Sequence, residues 1–92
     1  MYTKLPRDPK PQVKATKIHT NGLYEPLPDA ELSTLQKAVG GYVELRRTAG
    51  GNDLYVNEEG ALKNLPINRH ATALVGFPIY GNVVLVKKGK TK

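Results

Sequence analysis

No cysteine occurs anywhere in the 92-residue chain. That excludes a disulfide framework, a thiolate nucleophile and a zinc ribbon built from this chain alone, and it suits a reducing cytoplasm. No apolar run approaches the ~18 residues of a membrane-spanning helix, and the opening MYTKLPRDPKPQVK lacks the apolar centre of a secretory signal. Neither membrane insertion nor export is expected. Ser33 is the single serine, and His19 and His70 are the only histidines. A nucleophile with a histidine base is therefore not expected, and Ser33 reads as a solvated or capping hydroxyl near a helix start. No H-x-x-x-H or calcium-loop spacing is present, and Glu58 and Glu59, adjacent in a turn, point apart. Gly40-Gly41 and Gly50-Gly51 fit neither the Rossmann nor the P-loop pattern. These absences point to a non-catalytic protein with no metal and no cofactor.

The chain carries a formal net charge of +6, unevenly placed. Lys4, Arg7, Lys10, Lys14 and Lys17 outweigh Asp8 near the start, and Lys87, Lys88, Lys90 and Lys92 crowd the end, whereas residues 20–86 hold more acidic than basic side chains. Basic ends on an acidic body read first as solvated tails. A nucleic-acid footprint interleaves stacking aromatics with its cations, and these ends offer only Tyr2. At this length one small core is expected, and a large share of the surface stays wet, so a homo-oligomer is expected.

Pro6, Pro9 and Pro11 make residues 1–11 a proline-rich basic arm, residues 12–86 a single α+β domain and residues 87–92 a basic tail. The alternation over 12–19 predicts a strand, Asn21-Gly22 a tight hairpin turn, and 23–25 a short return strand ended by Pro26. In DAELSTLQKAV, Asp29 is the expected N-cap and Glu31 sits in the first turn. Leu32, Leu35 and Val39 form the apolar stripe, and Gly40 supplies the left-handed stop. Residues 42–48 and 54–56 pair as strands around a flexible 49–52 loop, with Tyr42, Glu44 and Arg46 on one face. Gly60 is expected at positive φ after a turn, with Leu62 and Leu65 seating a brief return. Residues 71–75 are open between helix and strand. The run Val83-Val84-Leu85-Val86 reads as a strand covered on both faces, central or sealed by another subunit. The expected fold class is α+β, a small antiparallel sheet of hairpins with one short helix.

The stretch VNEEGALKNLPINRHAT, residues 56–72, holds the densest set of binding groups. Asn57, Asn64 and Asn68 each donate and accept, Arg69 can clamp a phosphate or carboxylate, and Thr72 adds a hydroxyl. Tyr42, Tyr55 and Tyr80 are available to stack on a base. A plainer reading has the asparagines filling turn positions and Arg69 pairing with Glu58 or Glu59 at the surface. The residues alone favour that plainer reading.

The blocks LQKAVGGYVEL, LYVNEEGALKNLPINRHATAL and GNVVLV resemble an uncharacterised domain family found in phages, plasmids and bacteria. The resemblance covers residues 30–86, leaving arm and tail outside. It implies no activity, but a context. By analogy of size and setting, the chain is similar to phage immune-evasion sponges, oligomers that sequester cyclic oligonucleotide signals of bacterial defence. On that analogy Tyr42, Asn57, Asn68, Arg69 and Thr72 are the expected ligand-binding residues, the ligand is nucleotide-like, and the location is the cytoplasm of a bacterial host. The alternative is docking of the basic termini on DNA or RNA, or direct inhibition of a host protein.

Overall fold

A computed structural model describes residues 14–87. The proline-rich arm and the tail beyond Lys87 lie outside the described residues. Five strands and two helices follow one another as β1 (Lys14–Ile18), β2 (Tyr24–Leu27), α1 (Leu32–Val39), β3 (Val43–Arg47), β4 (Asp53–Asn57), α2 (Arg69–Val75) and β5 (Val83–Lys87). The strands form one antiparallel sheet in the order β2-β1-β5-β4-β3. Two hairpins, β1–β2 and β3–β4, are thus joined by the last strand. Its apolar run VVLV is central, which is why neither face of it is polar.

Side-chain alternation along the strands divides the core into two layers. Ala15, Val84 and Val86 point to one face, where Leu35, Ala38 and Val39 of α1 cover them. Ile18, Leu54, Val56 and Val83 point to the other, against Ala71 of α2 and Ile79. The α+β class and the antiparallel hairpins stand. The expectation of one helix does not, because the open segment 71–75 is helical and belongs to α2. Its periodicity is too short to distinguish helix from strand, and the cap that settles it comes from Asn68.

Five local expectations are corrected. β2 does not end before Pro26 but runs through it to Leu27. The His19 N–H donates to the Leu23 carbonyl at 2.9 Å, which fixes the alternation of the ladder and turns the Pro26 nitrogen to the open edge, where no donor is needed. Helix α1 begins at Leu32 rather than after Asp29, with Glu31 at the cap position but making no side-chain cap bond. Leu32, expected on the apolar stripe, is exposed. Gly40 does stop the helix at φ +82. Gly60 has no positive φ; a Cβ there would stand 2.7 Å from the Tyr80 carbonyl oxygen, so the glycine admits a close backbone approach. Leu62 and Leu65 follow in turn and loop, not in a return strand. Among the described residues no helix is long and apolar enough to cross a membrane.

Candidate functional site

The polar stretch 56–72 is where side chains were expected to meet a ligand, and Asn68 shows what it does in the fold. Its side chain is fully buried. The amide Nδ2 donates to the Ile18 and Gly81 carbonyls at 3.0 Å each, and Oδ1 accepts from the Ala71 N–H at 3.0 Å, capping α2. One amide therefore ties the end of β1, the start of α2 and the entry to β5. Thr72 acts in the same region: its Oγ1 accepts from the Ile79 N–H at 2.9 Å. The Asn68 N–H donates to the Ile79 carbonyl at 2.7 Å, so Ile79 is gripped at both its backbone groups.

Asn57 is also buried. Its Nδ2 donates to the Val39 carbonyl at the end of α1, and its Oδ1 accepts from the Glu59 N–H at 2.8 Å. Tyr42 is 71% exposed just ahead of β3, and Arg69 is exposed on the first turn of α2. The five candidate residues are not gathered into one pocket. Asn57 alone among them lines a cleft; Asn68 and Thr72 hold the loop that forms the far wall of that same cleft.

The cleft has a volume of about 160 Å³ and lies on the α2 face of the sheet. Glu44 and Arg46 of β3 make one wall, and Phe77, Pro78 and Tyr80 make the other. Alternation places both charged residues there, opposite Val56 and Leu54, whose side chains are buried on that face. The loop is set by the bonds to Ile79 and by the bridge between Ile67 and Tyr80, with Gly60 close beneath Tyr80. Within the cleft Arg46 Nη1 donates to Glu44 Oε2 at 2.9 Å, and the guanidinium stands 5.6 Å from the centre of the Phe77 ring. The Arg46 Nε is buried and has no hydrogen-bond partner. An unsatisfied buried donor carries a desolvation cost of about 1–3 kcal/mol that an arriving acceptor oxygen would relieve.

Arg46 and Phe77 were not among the residues singled out from the sequence. The signal for Arg46 is present in the alternation that puts Glu44 and Arg46 on one strand face. Nothing local to Phe77 marks it, since it joins the cleft only through the grip on Ile79. A second, larger groove of about 360 Å³ lies on the other face of the sheet, between β2 and α1. Lys17, Glu25, Ser33, Thr34 and Lys37 line it, and none of the candidate residues does. Among the described residues no three of His, Cys, Asp or Glu are grouped as metal ligands.

No curated protein and no solved structure matches this chain. A family profile does, and it extends past the motif blocks of residues 30–86 to take in most of the proline-rich arm and the whole lysine tail. Over residues 3–92, the chain belongs to the family described as a domain of unknown function, DUF3846.

Proposed function

We propose that this chain is a non-catalytic binding domain whose cleft beside Arg46 takes a small anionic ligand with a planar ring, of the nucleotide class. The observation that carries the reading is the buried, unpartnered Nε of Arg46 beside two aromatic rings. A guanidinium pairs with phosphate oxygens in two-pronged fashion, and a ring such as Phe77 or Tyr80 offers a face for a base. Asn57, Asn68 and Thr72 then serve the ligand by fixing the walls, while Tyr42 and Arg69 lie outside the cleft and are free to contact parts of a ligand that project from it. The role attached to this binding is sequestration of a nucleotide signal of bacterial antiviral defence. That role rests on the resemblance and its phage setting.

Isothermal titration calorimetry of the full chain against mononucleotides, cyclic dinucleotides, cyclic trinucleotides and ADP-ribose tests the reading. At least one member is expected to bind, with Arg46→Ala and Phe77→Ala each weakening it about tenfold or more. Absence of binding across the panel at high micromolar protein would refute it. So would a ligand whose affinity falls with Lys37→Ala and not with Arg46→Ala, since it would then occupy the groove on the opposite face. An affinity for DNA or RNA that is steeply salt-dependent, and lost on removal of residues 1–11 and 88–92, would favour the alternative instead.

A further inference from the structure

A five-stranded open sheet has two edges, and here they differ. On β2 the Pro26 nitrogen faces outward and Pro28 follows directly, so that edge lacks a donor where a new strand would need one. The β3 edge, VELRR, contains no proline. The Glu58 N–H donates to the Tyr42 carbonyl and the Thr48 N–H to the Asn52 carbonyl, each at 2.9 Å. Antiparallel pairing alternates, so residues 42, 44, 46 and 48 turn their backbone groups toward β4. Val43, Leu45 and Arg47 therefore present theirs to the edge, where no strand pairs with them among the described residues.

We propose that this edge joins two copies of the chain, antiparallel, about a two-fold axis at Leu45. In that register VELRR is complementary to itself. Leu45 faces Leu45, Val43 faces Arg47, and every outward N–H and C=O of the strand finds a partner across the axis. Glu44 of each copy stands opposite Arg46 of the other, in a non-hydrogen-bonded pair, where cross-strand side chains come closest. A shift of the axis by one residue keeps outward groups paired but sets Glu44 against Glu44 or Arg46 against Arg46 in the close, non-hydrogen-bonded position, where like charges repel. A shift of two toward the end of the strand would set Arg47 against Arg47. The exposed Leu45, 45% open to solvent, would gain an apolar neighbour on the α1 face.

The dimer stands on the edge and its charges, whether or not the cleft takes a ligand. It nevertheless has a consequence there. Glu44 and Arg46 line the cleft, so joining β3 to its copy sets two clefts side by side across the axis. One alone is smaller than the ~300 Å³ at which small-molecule sites begin, and two adjoining reach it. Arg46 has donors enough for both duties, because a guanidinium carries five N–H groups.

Sedimentation of the full chain is expected to show a dimer of the 10.1 kDa chain in reversible equilibrium with its monomer. Glu44→Arg, which opposes like charges, should weaken association about tenfold or more, and Glu44→Arg with Arg46→Glu together should restore it. Because the natural chain has no cysteine, Leu45→Cys offers a direct reading of the register. Paired Cα atoms at such a position lie about 5.5 Å apart, within disulfide reach, so mild oxidation should give a covalent dimer. Leu23→Cys, 57% exposed just ahead of β2 at the opposite edge of the sheet, should not. A chain that stays monomeric at millimolar concentration overturns the proposal. So does a dimer indifferent to Glu44→Arg in a variant that circular dichroism shows to be folded, or a Leu45→Cys chain that cross-links no faster than Leu23→Cys.

Discussion

Asn68 illustrates how a residue type that signals binding is claimed by the fold. An asparagine amide can donate two hydrogen bonds and accept at its oxygen, and all three roles are filled by backbone groups of β1, α2 and the turn before β5. Replacing it with alanine removes the cap and takes the amide donor away from two buried carbonyls. The expected cost is about 3 kcal/mol, read as a lowered urea midpoint at unchanged slope. Were Asn68 instead an accessible ligand contact, Asn68→Ala would weaken binding and leave the midpoint in place. Arg46 is the reverse case. It looks like one half of a surface ion pair on a strand, yet its Nε is buried without a partner, which makes it the residue with capacity left for something else.

At the scale of elements, the start of α1 shows a cap working from a distance. Asp29 does not occupy the N-cap position, but its Oδ1 accepts from the Glu31 N–H at 3.0 Å. Hydrogen bonds from the Thr34 side chain and then from Glu31 hold its carboxyl below the ordinary value of 3.8. A carboxyl whose folded pKa is depressed stabilises the fold above its unfolded pKa, and that contribution is lost as pH falls through the folded value. The urea midpoints of the natural chain and of Asp29→Ala should therefore differ near neutral pH and converge as the solution is acidified well below 3.8. A difference that persists unchanged into acid would show that the carboxylate is not what sets the helix start. β2 makes a related point, since Pro26 is compatible with a strand only because its nitrogen faces away from β1.

For the whole molecule the decisive element is β5. It pairs with β1 on one side and β4 on the other, and it sends Val84 and Val86 to the α1 layer and Val83 to the α2 layer. Neither hairpin has a complete core without it. Val83→Ala and Val84→Ala, though they open cavities in different layers, should each cost about 2 kcal/mol and shift one common unfolding transition. Far-ultraviolet circular dichroism and tyrosine fluorescence are expected to give coincident curves for both variants. Separate transitions for the two probes would mean that the layers fold independently of β5.

The sequence by itself determined the hairpins, helix α1, its stop at Gly40 and the burial of the final strand. Each follows from a local pattern of alternation, helical spacing, a turn dipeptide or an all-apolar run, and such patterns act over a few residues. It also located the stretch on which the cleft depends. Only the tertiary structure decided what that stretch does, because beyond the local bonds of Asn57 to Glu59 and Asn68 to Ala71, the side chains of Asn57, Asn68 and Thr72 reach backbone groups 18, 50, 13 and 7 residues away, past the range of any local pattern. The same distance in sequence hid Phe77, which faces Arg46 solely because α2 and its following loop fold back over the sheet. An asparagine written in a chain looks equally able to bind a ligand or a backbone, and burial is what chooses between them.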